Sequence, residues 1–572
     1  PELLPQSMMP RLFFPIRNLP FTSSGKIDRR RLRAMVQTLS KDTLKSYITL
    51  NTSDRREISS ATGLEIKLVA LVETTLELEA GSVTADDSFF GLGGDSLSAM
   101  NLVGAAQAEG IALTVSGIFN SPILVDMAKS CVVSDGPAEV KKEDIKAFSL
   151  LPSGVYLENL MDEVTDSCEV SKDLISDIYP CSAVQEGLLT LSIKHHGAYV
   201  AQPSFRLAAG IDVGKFKQAW QQTVSDLEIL RTRIVHTEAM NFAQVVLKDG
   251  PISWVEAESF DSLPNDFLHL PKQNGAALTG YAMVHPRGSS DSYFVWSVHH
   301  ALYDGWSIPL VFRKVEENYF SSQPKRAGTP YSLFIDYLAK KDMEESDAFW
   351  KSYLTDLSST PFPHNKNAVP DAMRAGNTQY HNMKLSRTRN SVDFTIPVLM
   401  RAAWAIVIAT HTASGDVCFG ETLSGRNIDL PGVADIAGPV LTTVPTRVQV
   451  DNAMSTMQYL QKIHKSTTEM IPHLHSGLQR IRQLNKDTSE GCNFQNLLVI
   501  QPGDGELDNK IWIDEKRETS EDFFTHPLVV ECGITKTSIS FTVHHDELVI
   551  SGWHTKRLTE QFAHVLMTSS SW

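Results

Sequence analysis

The sequence predicts a multidomain chain, with a small all-α bundle of three or four helices followed by a much larger α/β or α+β unit, large enough for two lobes. Three observations carry this. The chain has 572 residues, more than a single domain usually holds at about 100–200. Between about residues 58 and 132, apolar residues recur at helical spacing. From about residue 173 onward, short apolar strands such as Phe294–Val298 and Ser538–Val543 alternate with amphipathic helices such as Val311–Phe320 and Thr555–Val565. A stretch of roughly 400 residues patterned in this way has material for two lobes.

Composition narrows the function classes. A hydrophobic content of 42% and a charged content of 21% are those of a water-soluble globular protein. Lys and Arg total 52 against 67 Asp and Glu, for a formal charge of −15. That balance argues against nucleic acid as a partner, because a polyanion calls for a basic face. No run of 18 apolar residues is present, so no membrane span or membrane partner is expected. Nor does a basic flank followed by an apolar segment mark a signal peptide. Six scattered cysteines without a Cys-x-x-Cys pair read as reduced thiols of a cytoplasmic protein, not as a disulfide framework or a zinc site.

Residues 1–37 are basic, Pro-interrupted and too few for a domain; they begin in mid-pattern without Met, as if cut from something larger. Residues 38–57 are polar without sustained periodicity, a linker. In the helical unit, 58–132, Thr62-Gly-Leu-Glu65 is a capping-box pattern, followed by Leu64, Leu68, Leu71 and Val72 at helical spacing. A second helix is expected from Ser96 to Ala108, and Ser121-Pro122 reads as an N-cap with Pro at the first helical position. Ser134-Asp-Gly-Pro and the Lys141-Lys-Glu-Asp charge cluster place a second linker at 133–172. The lobes then run 173–350 and 351–572.

The first chemical feature is Gly91-Leu-Gly-Gly-Asp95-Ser96-Leu97. Glycines allow a tight turn, and Ser96 then stands where a helix begins, beside unpaired N–H groups and the positive end of the helix dipole. A phosphate ester on that hydroxyl would be held favourably. An ordinary N-cap serine would show the same spacing. A Walker phosphate loop is excluded, since no Gly-Lys-[Ser/Thr] follows, and the Gly25-Lys26 pair fails the same test.

Asp87-Ser-Phe-Phe-Gly-Leu-Gly-Gly-Asp-Ser-Leu97 resembles the attachment motif of peptidyl carrier proteins of nonribosomal peptide synthetases. The resemblance implies a 4′-phosphopantetheine arm covalently held on Ser96, with Asp95 beside it. It also implies a four-helix carrier bundle, and a phosphopantetheinyl transferase as a partner.

The second feature is Tyr293-Phe-Val-Trp-Ser-Val-His299-His300-Ala-Leu-Tyr-Asp304-Gly305. The stretch through Val298 is apolar enough for a buried strand. The two histidines fall at its exit, where a scaffold aims side chains into a cleft. Successive strand residues point to opposite faces, so only one of the pair faces a given cleft. A neutral imidazole there could take a proton from an attacking amine or hydroxyl. A structural role for the pair fits the same residues. A metal site is not expected, because no His-Glu-x-x-His pattern occurs.

His-His-x-x-x-Asp-Gly is similar to the signature of condensation domains, which have a two-lobed chloramphenicol-acetyltransferase-like fold. Tyr179-Pro-Cys-Ser-Ala-Val-Gln-Glu-Gly-Leu, Leu230-Arg-Thr-Arg-Ile, Ser424-Gly-Arg426 and Gly438-Pro-Val-Leu-Thr-Thr-Val-Pro resemble further motifs of that family, in order. The resemblance implies that His300 faces a tunnel between the lobes, as base or positioning group, with His299 beside it. Asp304 would be structural, and Gly305 would let backbone approach the tunnel. Arg231 is a candidate ion-pair partner for Asp304, although an ordinary surface arginine reads the same. The implied reaction is amide formation between carrier-bound substrates. The implied partners are an upstream adenylation domain and a downstream acceptor carrier, or the chain's own tethered product.

Fungal terminal domains that release product by cyclisation carry a Ser-His-x-x-x-Asp-x-x-[Ser/Thr] pattern. His300, Asp304 and Ser307 fit it, but His299 replaces the leading Ser, which favours elongation over cyclising release. A catalytically silent docking platform is the third reading. Ser24-Gly-Lys26-Ile-Asp-Arg29 resembles the last motif of adenylation domains, which makes residues 1–37 the remnant of one.

Overall fold

The computed structural model describes residues 63–76, 78–94, 96–133, 145–195, 198–271, 273–321, 328–364, 374–375, 377–384, 394–502, 510–516, 523–535 and 537–569. The expected adenylation remnant at 1–37 with Lys26, the linker at 38–57 and Asp95 lie outside the described residues. The chain divides into two compact units. Of the described residues, one unit holds those up to Gly93 together with Ser121–Cys131; the other holds those of Gly94–Asn120 and those from Val132 onward.

Among the described residues, the first unit holds helices α1 (Gly63–Thr75) and α4 (Leu124–Ser130), and the N-terminal part of the second holds α2 (Ser96–Ala108) and α3 (Val115–Asn120). The spacing that predicts α1 places Leu68 and Val72 wholly inside. The α2 range matches its expectation. The helix expected to open at Ser121-Pro122 starts later, because the Pro122 carbonyl accepts the Phe89 N–H at 2.8 Å and Ile123 bridges to Ser88. That pairing holds the segment extended. In the larger unit β1 (Ile111–Ala112) pairs antiparallel with β2 (Val132–Val133).

Within the stretch expected to be a linker at 133–172 stands a helix, α5 (Leu157–Cys168). Leu160, Val164 and Cys168 fall at four-residue intervals and are buried against Ile175, Ile178, Val235 and Val245. The folded unit therefore reaches back before residue 173, because an apolar stripe there finds a sheet to cover.

The first lobe has two sheets. β3 (Ile175–Pro180), β7 (Phe242–Leu247) and β6 (Thr232–His236) form a three-stranded one in the order β3-β7-β6. The larger sheet includes β4 (Val200–Ala201), β5 (Ser204–Leu207), β8 (Trp254–Ala257), β9 (Thr279–Val284) and β10 (Tyr293–His299). Its order is β16 (Trp512–Lys516)-β5-β10-β9-β8, with β4 also on β10. β10 is central and buried from Phe294 onward, so its residues are apolar on both faces instead of alternating. Around the sheet run α6 (Ala183–Lys194), α7 (Val213–Asp226), α8 (Ser307–Phe320) and α9 (Ser332–Ala339), whereas α10 (Met343–Tyr353) buries Trp350 against Cys418, Val444 and Leu474 of the second lobe. Trp220 of α7 lies 4.9 Å from Phe294, and Phe312 of α8 lies 5.7 Å from Trp296. These aromatic contacts hold the exit of β10 rigidly.

The second lobe is a six-stranded sheet ordered β12-β19-β18-β15-β13-β14. Its strands are β12 (Asn377–Lys384), β13 (Asp416–Leu423), β14 (Thr442–Gln449), β15 (Asn496–Pro502), β18 (Leu528–Ile534) and β19 (Ser538–His545). β15 runs parallel to both β13 and β18. The sheet is flanked by α11 (Ile396–Thr412), α12 (Thr456–Met470) and α13 (Gly552–Ser569), with Phe562 5.2 Å from both Trp404 and Phe541. A short pair, β11 (Arg374–Ala375) and β17 (Phe523–Phe524), lies apart.

One strand crosses the expected boundary at residue 350. β16 (Trp512–Lys516) comes late in the chain yet pairs antiparallel with β5 as the edge of the first lobe's sheet, and Trp512 sits 5.0 Å from Phe312. Chain order and lobe membership differ there, because an aromatic core accepts an indole from whichever segment can reach it.

Candidate active site

β10 ends at His299. A single 3-10 turn, His300–Leu302, then leads through Asp304 and Gly305 into α8. The two histidines part where the strand gives way to the turn. His299 is 0% exposed, whereas His300 keeps partial solvent access.

His299 has no free nitrogen. Its Nδ1 accepts the Ala301 N–H at 3.1 Å, so the proton resides on Nε2, 2.8 Å from Ser192 Oγ. Burial, and after it the neighbouring His300, push its pKa down to about 3, which keeps it neutral. The sequence groups His299 with the chemical residues; with both nitrogens engaged in the core it can only brace the turn.

His300 is arranged differently. Its Nδ1 lies 2.9 Å from the Tyr303 carbonyl oxygen. A carbonyl only accepts, so Nδ1 bears a proton, and in the neutral ring the lone pair lies on Nε2. The ring stacks on Tyr303 with centroids 4.6 Å apart and planes 9° from parallel. The His300 N–H donates to the Tyr199 carbonyl at 2.8 Å. Behind the turn, the buried Gln185 of the Tyr179–Leu188 motif donates to the Ala301 carbonyl at 3.0 Å and to Gln244 Oε1 at 2.9 Å.

Asp304 is an anchor. Its carboxylate accepts from Arg426 Nη2 at 2.9 and 3.1 Å, from the Val440 N–H at 2.9 Å and from the Ser307 N–H at 2.8 Å. Arg426 donates further to the carbonyls of Val433, Ile436 and Gly438. Both side chains are buried, at 1% and 0% exposure. A buried charge requires this degree of pairing. The clamp ties the His300 turn of the first lobe to the second, and the Trp306 indole N–H adds a link to the Ala434 carbonyl at 2.9 Å.

Arg231 is not the partner of Asp304. It pairs with Asp249 at 3.2 Å and donates to the Leu247 carbonyl, because its turn faces the end of β7. The signal for Arg426 lay in Ser424-Gly-Arg426. Gly425 has φ +67°, and a Cβ there would collide with the Val440 carbonyl and come within 2.7 Å of His475 Cε1. Only glycine admits both that conformation and that approach. At Gly305 a Cβ would meet Gln501 Oε1 of β15 at 3.0 Å, so the missing side chain leaves room for the second lobe.

Replacing Arg426 by Met strands the Asp304 carboxylate in the interior. The expected loss of stability is about 3–5 kcal/mol, read from the urea midpoint of the variant. A loss below about 1 kcal/mol, the level of an exposed pair, would overturn the clamp.

Ser96 is the first residue of α2, a helix of 13 residues, and Gly93 just before it turns at φ +100°. The first N–H groups of such a helix lack intrahelical partners, which suits a covalently held phosphate ester. All six cysteines are free thiols. Among the described residues no helix is long and apolar enough to cross a membrane, and no cluster of His, Cys, Asp or Glu could hold a metal.

Comparison with known families matches this architecture. Residues 67–131 match the model for a phosphopantetheine attachment site, and residues 175–567 match that for a condensation domain. The chain belongs to the nonribosomal peptide synthetases, as a phosphopantetheine carrier domain followed by a condensation domain. It is 55% identical over 565 residues to nonribosomal peptide synthetase 1 of Aspergillus fumigatus, covering 99% of this chain and 9% of that protein. It is 47% identical to nonribosomal peptide synthetase nlsA of Emericella nidulans, again spanning 9% of the relative's length. Among solved structures, the crystal structure of CT aligns with TM-score 0.57 and 18% identity, over 74% of this chain and 98% of that one. The starter condensation domain of rhizomide synthetase RzmA aligns with TM-score 0.55 and 14% identity, over 69% and 97%. At these identities the structures share the fold.

Proposed function

We propose that this chain forms an amide bond between two carrier-bound substrates, with Ser96 as the point of attachment for the donor and His300 as the group that manages the proton. The observation that carries the reading is the His300 tautomer: Nδ1 is committed to the Tyr303 carbonyl, and the residue keeps partial solvent access. When bound, the pantetheine arm supplies an acyl group activated as a thioester. His300 Nε2 would accept the proton that an attacking amine sheds as its nitrogen bonds to the acyl carbon, and would pass it to the departing sulfur as the carbon–sulfur bond breaks, a role suited to a neutral imidazole. Tyr303 holds the ring by stacking and Asp304 fixes the turn through Arg426, so the lone pair stays aimed at one place. His299 and Gly305 act on position: the first braces the turn from inside, the second leaves space beside Gln501.

The domains assigned to these roles are a carrier at 58–132 and condensation lobes at 173–350 and 351–572, with α5 joined to the first lobe and β16 completing its sheet. Partners follow from the chemistry: a phosphopantetheinyl transferase to load Ser96, an upstream adenylation domain to charge it, and a downstream carrier to present the amine. Six unpaired thiols suit a reducing, cytoplasmic setting.

The test loads the chain with a phosphopantetheinyl transferase and an aminoacyl coenzyme A, then adds an aminoacyl acceptor carrier. Intact-mass measurement should find the dipeptide on the acceptor. A free cyclic product would instead establish release. A donor that stays on the carrier with the acceptor in excess would defeat the amide reading.

A further inference from the structure

The second lobe contains a cavity of about 210 Å3, lined by β13, β14, α11 and α12 and remote in sequence from the His300 turn. Arg401, only 5% exposed, reaches into it and pairs with the buried Glu421 in an unusual way. Only its Nε donates, at 2.6 and 2.8 Å to the two carboxylate oxygens. The second oxygen also accepts from Thr446 Oγ1 at 2.9 Å. Among the described residues no protein atom accepts from Nη1 or Nη2, and neither is sealed from solvent, so the four N–H donors on that edge of the guanidinium are open to a ligand.

The charges around the cavity are not balanced. Arg401 is matched by Glu421, and Arg447 is matched by Asp416 at 2.8 Å outside the lining. Lys462 remains at the rim, and among the described residues its Nζ is held only by the neutral Gln449 Oε1 at 2.8 Å. The Arg401 charge is also felt beyond its pair, since after burial it helps hold His464 below its ordinary range. Apolar side chains, Leu423, Ile463 and Met470, cover much of the remaining wall.

We infer that this cavity is a binding site for a small organic oxyanion, a carboxylate or phosphate group on a short apolar body. The paired Nη edge of Arg401 would grip two of its oxygens, with Lys462 at the mouth. A guanidinium's free edge presents parallel N–H groups matched to such a head group. The volume corresponds to about seven water molecules at roughly 30 Å3 each, room for the head and a few carbons. The site is independent of the amide-forming reading, because no residue of the His300 turn lines it.

Thermal unfolding and titration calorimetry of the full chain test this, with inorganic phosphate and butyrate as probes and chloride at matched ionic strength as control. At least one probe should bind saturably and raise the melting temperature above the chloride value. Saturation by phosphate alone would assign a phosphate head, and by butyrate alone a carboxylate. Lys462→Ala, an exposed change, should weaken binding about tenfold. Arg401→Met combined with Glu421→Gln, which removes both charges together, should abolish it. If neither probe exceeds chloride, the cavity holds water only and the inference fails. It fails equally if Lys462→Ala binds as tightly as the parent, a result that does not depend on the double variant folding.

Discussion

Replacing Ser96 with alanine is expected to eliminate uptake of the pantetheine arm, leaving the intact mass unchanged after incubation with coenzyme A and a phosphopantetheinyl transferase. The unaltered chain should gain one arm. The effect is all-or-none because the hydroxyl oxygen is the atom that would bond to phosphorus, and no amount of correct docking replaces a missing nucleophile. The substitution should not unfold the helix. Ser96 opens α2, and loss of a polar residue at such a position costs about 0.5–2 kcal/mol, within reach of a folded domain's reserve. Circular dichroism then separates the two causes. A folded Ser96→Ala chain that still gains the arm would move the attachment point elsewhere.

His300→Ala should leave loading intact and slow transfer to the acceptor about 10²–10⁴-fold, the usual worth of a positioned proton acceptor. Loading on Ser96 and transfer are read on the same sample, by mass and by product, so failure of one is not mistaken for failure of the other. His299→Ala should behave differently. It removes a fully buried side chain that accepts from Ala301 and meets Ser192, so its primary effect is on stability. If His300→Ala retains near-parental transfer, the imidazole has no part in the chemistry. If the His299 variant loses transfer while keeping its stability, the division of roles between the two rings is wrong.

Much of the architecture was legible from patterning. The continuous apolar run of β10 announced a strand covered on both sides, and its exit located the reactive turn. The α2 boundaries followed from a Gly-rich turn and the stop near Gly110. Alternation allowed only one of the two histidines to face a given cleft, although it could not say which nitrogen of His300 carries the proton. That depends on the Tyr303 carbonyl, a backbone atom whose direction no side-chain pattern encodes. The Asp304–Arg426 pair was hidden for a related reason: its members stand 122 positions apart, and nearer arginines such as Arg231 compete on paper. α5 was obscured by the polar, charged stretch before it, although Leu160, Val164 and Cys168 already repeat at helical spacing. The helix predicted at Ser121-Pro122 began too early because a long-range bridge to Ser88 overrode a local start signal.

β16 has a practical consequence for anyone dissecting this molecule. Cutting after residue 350 would discard Trp512 and leave β5 without its outer neighbour. The severed half would present an unzipped border of backbone donors and acceptors, the kind that recruits a second copy of itself. Clumping of such a truncated product would report a missing seam, with no bearing on whether the reactive turn was correctly built.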